Sequence, residues 1–324
     1  MPLDIEFIIP NVMFGKVLSF YTKYFAVWVV IFSAVAYLRP APFIALQPYM
    51  GWFFALTMFG IGAVLQIDDF RQIAKRPVIV LIGAFAQFLI MPFGAFALAK
   101  IFRLPAEIAV GLILTAAAPE AMSSGVITYI AKADVAYSVS LTTVSTLLCP
   151  LATPALVYLL AGREIHFDFW VMVADLLKMV IVPLFAGFGI RHLLKGTIDK
   201  ILDVFPAISV TFVIFICSLV IALNKNYLLM ITALVFAADL TLNVWGMLAG
   251  YWVGAIFRMD VRKKRTLAIE IGMQNAGLGT VLALRYFGEK AAIPAAAFVF
   301  ICIITASVMA EIWSRQPAQE SDKP

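Results

Sequence analysis

EIGMQNAG at 270 to 277 and APEAMSSG at 118 to 125 decide how this chain folds. Each sets a carboxylate among small residues and a helix-breaking Pro or Gly, inside an otherwise apolar run. Around them the 324 residues are 63% hydrophobic and only 13% charged, with a mean hydropathy of +0.99. Soluble domains average about 45–50% apolar and about 25% charged residues, so a water-soluble fold is excluded. A spanning helix needs ~20 apolar residues. On that measure the chain divides into ten spans, near residues 21–38, 49–66, 77–99, 105–131, 134–161, 168–191, 206–223, 227–257, 264–287 and 291–313.

The expected fold is an all-α polytopic membrane protein. Residues 1–20 form an N-terminal cytoplasmic or interfacial segment, and MPLDIEFIIPN lacks the basic start of a cleaved signal. Residues 21–161 and 168–313 form two five-helix halves, and 314–324 a disordered polar tail. An odd number of spans per half inverts the second half relative to the first. The two interruptions then fall in the fourth span of each half, the fourth and ninth spans of the chain, where broken helices point to a transport site.

Of the 24 Lys and Arg, sixteen fall on the side shared by both termini, seven fall opposite, and Lys178 lies within a span. The excess of basic residues predicts that both termini are cytoplasmic; the localisation expected is multi-pass, in the bacterial inner membrane. RKKR at 262–265 is the densest basic run and reads as an anchor near anionic lipid, not as a nucleic-acid patch. Cys149, Cys217 and Cys302 are far apart in apolar runs and read as reduced packing residues.

Away from the span ends, charge within the spans is confined to Glu120, Asp175, Lys178, Asp239 and Glu270. Each costs at least about 2.5–3.5 kcal/mol at a helix centre on insertion scales, which makes each a functional candidate. Asp175 and Lys178 are i,i+3 and are expected to neutralise each other. Asp239 and Asn243 are i,i+4 and either line a cavity or bond to a neighbouring helix. Glu270 stands beside a helix break with Gln274, Asn275 and freed carbonyls, an all-oxygen set with a single carboxylate that suits Na⁺. The histidines, His166 and His192, lie at span ends, and no HExxH or GxSxG motif occurs, so an enzyme is not expected.

IEIGMQNAGLG at 269–279 and TYIAKADVAYSVSLTTVSTLLCPLATP at 128–154, with AQFLIMP at 86–92 and LPAEIAVGLIL at 104–114, resemble the bile acid:sodium symporter family over nearly the whole chain. The resemblance implies a panel domain of helices 1, 2, 6 and 7 and a core domain of helices 3–5 and 8–10. It implies two Na⁺ sites, one using Ser124, Ser138, Thr142 and Glu270, the other Gln87, Glu270, Gln274 and the carbonyls of Ile271 and Met273. Asn275, Met122 and Ser123 would face the substrate. Gly125 stands where the family has an Asn that ligates the first sodium, Met122 where it often has a Thr, and Ile303 where it commonly has an Asn. Glu120 is an added carboxylate, expected either to replace the lost ligand or to carry a proton with Glu270 in place of one Na⁺; Asp239 is a second coupling candidate.

The function implied is sodium-coupled symport, by alternating access, of a small organic anion that is bile acid-like or a monocarboxylate such as pantoate. A proton-coupled or uncoupled transporter or channel of the same fold is the alternative. The partners expected are that anion and membrane lipid, with no nucleic acid and no obligate protein partner.

Overall fold

The computed structural model describes residues 17–316 except 19, 23, 163–166, 195–200, 203 and 227. Lys16, Lys23, Arg163, Lys195, Lys200 and Lys323 of the basic count lie outside the described residues. So do His166, residues 1–16 of the N-terminal segment and 317–324 of the tail. Every regular element among the described residues is a helix. We label them α1 (Phe25–Leu38), α2 (Met50–Val64), α3 (Ile67–Lys75), α4 (Pro77–Ile101), α5 (Ala106–Ala116), α6 (Ser124–Ile130), α7 (Val135–Ala161), α8 (Phe169–Leu193), α9 (Val204–Leu223), α10 (Leu228–Ile256), α11 (Val261–Gly272), α12 (Ala276–Tyr286) and α13 (Ala292–Arg315).

Among the described residues six helices are long and apolar enough to cross a membrane, α4, α7, α8, α9, α10 from Ala233, and α13, and the bent pair of α2 and α3 makes a seventh if taken as one span. The protein is therefore a polytopic membrane protein. Its outer surface is apolar, with Trp52, Val78, Phe85, Leu151, Leu159 and Trp170 all exposed. Such a surface is at home in lipid, which solvates it as well as a neighbouring helix would. The expected spans at 105–131 and 264–287 are each two helices, α5 with α6 and α11 with α12.

Local sequence explains where helices start and bend. Asp134, Asp168 and Asp260 accept the backbone N–H of Tyr137, Val171 and Lys263, capping α7, α8 and α11. Gln66 and Asp69 form a capping box where the chain turns 75° from α2 into α3. The amphipathic IDDFRQIAK helix that follows was not expected from the apolar pattern. In α8 the turn Leu177–Ile181 is π-helical just before Pro183. A wider turn relieves the clash between the proline ring and the preceding carbonyl.

Asp175 does not pair with Lys178. Its Oδ2 meets Arg285 Nε at 2.7 Å and accepts a hydrogen bond from Tyr286, while Lys178 is exposed. A partner brought by the tertiary fold outcompetes the i,i+3 neighbour because its geometry engages Asp175 at the buried face of α8. The basic run is also less lipid-directed than expected. Arg265 is buried against Trp313, donating to its carbonyl at 3.2 Å, and Lys263 bonds Asp260 and lies 3.6 Å from Asp134. Burial pushes the Asp260 carboxyl up, but the hydrogen bonds and charge of Lys263 outweigh it and hold Asp260 below its ordinary value.

Two groups of helices pack most closely. α2 lies along α8, and α9 along both α1 and α2; α10 lies along α11, α13 and α4, with α7, α5 and α12 completing that group. The α2–α8 seam is set by glycine. A Cβ on Gly62 would sit 1.9 Å from the Leu184 carbonyl oxygen, and one on Gly187 would sit 2.0 Å from that of Phe59. Backbone therefore rests on backbone in both directions. Gly187→Ala is expected to destabilise the detergent-solubilised protein by about 1–3 kcal/mol, read as a lowered Tm. Gly189→Ala, whose Cβ would meet nothing within 4 Å, should leave the Tm unchanged.

Candidate functional site

The two breaks meet. Between α5 and α6, Pro119 supplies no N–H; between α11 and α12, Gly272 ends the helix and residues 273–275 are extended or turned. The Ala121 N–H donates to the Met273 carbonyl at 2.8 Å, and the Asn275 N–H donates to the Pro119 carbonyl at 2.7 Å. This is a one-residue antiparallel bridge centred on Glu120 and Gln274. An unsatisfied backbone group at membrane depth costs several kcal/mol, so a paired break is stable where an isolated one is not.

The remaining freed carbonyls are taken up by side chains from adjacent helices. Thr153 Oγ1 donates to the Ala117 carbonyl at 2.5 Å, Gln87 Nε2 to that of Ala118 at 3.1 Å, and Asn243 Nδ2 to that of Gly272 at 2.7 Å. Gln274 Nε2 donates to its neighbour Ile271 at 2.8 Å. Asn275 caps α12, its Oδ1 accepting from the Leu278 N–H at 3.0 Å. The part played by Thr153 was not expected. Within the helical run LLCPLATP its hydroxyl looks like one that bonds back to its own helix, and only the fold aims it at Ala117.

Glu270, fully buried at the end of α11, faces α7. Its carboxylate accepts hydrogen bonds from Ser138 and, at 3.0 Å, from Thr142. Ser124 Oγ is beside it without completing a hydrogen bond. Three of the four residues expected at a first sodium site are thus joined, with the fourth adjacent. Gln87 and Gln274, expected at a second, form a reciprocal amide pair at 2.5 and 3.0 Å. The expected carbonyl ligands are present but engaged, Ile271 by Gln274 and Met273 by Ala121.

Glu120 is 1% exposed, and neither carboxylate oxygen has a hydrogen-bond partner among the described residues. Ser124 Oγ and Thr128 Oγ1, one and two turns on, are likewise buried and unpartnered. Two buried carboxylates, Glu120 and Glu270, therefore act on each other electrostatically across the crossing. Gly125 is not required by space, since an added Cβ would meet only Ser138 Oγ, at 3.8 Å. Of the residues expected to face substrate, Asn275 is 8% exposed, Met122 is half-buried and Ser123 is exposed. Asp239 and Asn243 are both fully buried on α10. Among the described residues no group of three or more His, Cys, Asp and Glu forms a metal cluster. The oxygen-rich crossing is a different kind of site.

Most of the chain is similar to known proteins. A model of the Sodium Bile acid symporter family matches residues 52–231. The chain is 36% identical over 301 residues to a protein of Bacillus subtilis (strain 168) named "Uncharacterized sodium-dependent transporter YocS", covering 93% of this chain and 94% of that one. It is 35% identical over 303 residues to the Arabidopsis thaliana protein "Probable sodium/metabolite cotransporter BASS1, chloroplastic", covering 92% of this chain and 75% of that one.

Ala121→Pro removes the donor that closes the bridge onto Met273. Leaving that carbonyl unpaired is expected to cost about 1–3 kcal/mol, seen as a lowered Tm in detergent, whereas Ala121→Ser keeps the N–H and should hold the wild-type value.

Proposed function

Because this chain belongs to the sodium bile acid symporter family, we propose that it is a sodium-coupled symporter of a small organic anion. It is a transporter and not an enzyme, as the names of its relatives indicate. The observation that carries the reading is the Glu270 carboxylate, held by Ser138 and Thr142 hydroxyls beside two paired helix breaks. A carboxylate, neutral oxygens and the carbonyl end of a half-helix together suit a monovalent cation.

In this reading one sodium binds Ser124, Ser138, Thr142 and Glu270, and the other Gln87, Glu270, Gln274 and the carbonyls of Ile271 and Met273. Ion entry exchanges the amide pair of Gln87 and Gln274 for ion contacts, which ties sodium binding to the position of α4 against the crossing. The fold is ten spans in two inverted halves, 21–161 and 168–313, with both termini cytoplasmic in a bacterial inner membrane. The close packing of α1, α2, α8 and α9, apart from the group around α10, supports a panel and a core that move against each other. Substrate binds between them near Asn275, Met122 and Ser123. Met122 and Ile303 give that surface an apolar character, which favours a bile acid-like anion or a monocarboxylate such as pantoate.

A second reading, that a proton replaces one sodium, is favoured by Glu120. A buried carboxylate without a partner needs either a proton or a cation. Glu120 then either supplies the ligand missing at Gly125 or shares a proton with Glu270.

These readings separate by measurement. NaCl, compared with choline chloride, should raise the Tm of the purified protein, by an amount equivalent to about 2.7 kcal/mol at a hundredfold excess over Kd. Glu270→Gln should abolish that rise. In proteoliposomes, Na⁺-dependent accumulation of anion against its gradient distinguishes a symporter from a channel. A stoichiometry of two Na⁺ that is unchanged in Glu120→Gln would rule out a coupling role for Glu120.

A further inference from the structure

Asp239 lies on α10, away from the hydroxyls that hold Glu270. It is 0% exposed, and both of its carboxylate oxygens lack a hydrogen-bond partner among the described residues. One turn on, Asn243 is also 0% exposed, and its Oδ1 is a third unpartnered acceptor. Residues i and i+4 share a helix face, with Cβ atoms about 5–6 Å apart. The orientation of the Asn243 amide is fixed by its other end, because Nδ2 donates to the Gly272 carbonyl at 2.7 Å. Turning it over would set oxygen against oxygen.

Three buried acceptors on one face with no donor form an incomplete arrangement. A single proton removes the charge and pairs two of the three, because a protonated carboxyl has one O–H to donate, and Asn243 Oδ1 is the acceptor one turn away; what is left is a neutral carbonyl oxygen. A metal ion would need several more oxygens than this face offers. The surroundings supply no counter-charge. Of the elements packed on α10, α13 places the Cys302 thiol near Asp239, and that thiol donates to the Val299 carbonyl at 3.4 Å, with the Cys217 thiol of α9 beyond it. α11 carries Glu270 and the 262–265 basic run, and α4 carries Lys100 in its last turn. Among the described residues none of these bonds Asp239.

We propose that Asp239 and Asn243 form a proton-binding site whose occupancy sets how firmly the end of α11 is held. With the proton on Asp239, its O–H donates to Asn243 Oδ1, and Nδ2 stays on the Gly272 carbonyl. When the proton leaves for the aqueous phase, a carboxylate faces the amide oxygen. The amide turns to offer Nδ2 to the carboxylate, and the Gly272 carbonyl loses its donor. Gly272 lies between Ile271 and Met273, so the amide connects a proton on α10 to the carbonyls proposed to hold sodium. Protonation and sodium binding then favour each other. This coupling rests on the sodium reading above; the proton site itself does not.

The test uses the full-length protein in liposomes, wild type against Asp239→Asn, the neutral isostere of the protonated acid. Infrared difference spectra on raising the pH should show the wild type losing one neutral-acid C=O stretch. Isotopically labelled aspartate should shift that band, and Asp239→Asn should lack it. In parallel, the NaCl concentration for half-maximal thermal stabilisation should rise ~5-fold or more with pH in the wild type, the lower range of typical site-to-site coupling, and stay flat in Asp239→Asn. The proposal is overturned by an aspartate-labelled band that titrates unchanged in Asp239→Asn, by an Asp239 band that persists at every pH where the protein is folded, or by a sodium midpoint with the same pH dependence in both proteins. If NaCl stabilises neither protein, the sodium reading fails while the infrared bands still decide the proton site.

Discussion

Backbone amides at membrane depth have no water to fall back on, and the crossing of two broken helices is this protein's answer to that constraint. The hydrogen bonds from Ala121 to Met273 and from Asn275 to Pro119 are made by main chain alone. They satisfy each break with the other, so neither half-helix pair can be rearranged independently. Everything else at the centre follows from them. Thr153, Gln87 and Asn243 can each reach a freed carbonyl because the bridge holds those carbonyls in place. Glu270 ends against Ser138 and Thr142 because α11 stops where the bridge begins.

The division of labour between main chain and side chains has chemical consequences. The main chain supplies the geometry of the crossing, and the side chains around it supply its charge. That is why a carboxylate at 120 and a glycine at 125 are compatible with an intact bridge. The buried carboxylate at 120 adds negative charge to the centre. It does not alter which helices cross there.

Much of this was legible in the sequence, for a physical reason. In an apolar chain a Pro, Gly or carboxylate within a span is conspicuous, so Pro119, Gly272 and Glu270 marked both breaks before any coordinates. What the sequence hid depends on distant partners or on the edges of apolar runs. Asp175 reads as the neighbour of Lys178 until Arg285 and Tyr286, remote in sequence, arrive beside it. α3 falls in the charged connection between the spans at 49–66 and 77–99, where its start is set by capping at Gln66 and Asp69, which hydropathy does not register. Asn243 declared itself polar, but its attachment to Gly272 is a product of how α10 lies along α11.

The glycine seam between α2 and α8 also limits how the molecule can deform. At Gly62 and Gly187 each helix rests directly on a carbonyl of the other, with no side chains between to act as rollers. Sliding one past the other would drive Cα into backbone within a fraction of a turn, so the pair resists shear and behaves as a single stiff plank. Compliance has to be found at other seams, such as that of α9 and α13, where a thiol of Cys217 donating to the Ala296 carbonyl at 4.0 Å stands between the two backbones. The seam with the smallest residues is the part least able to yield.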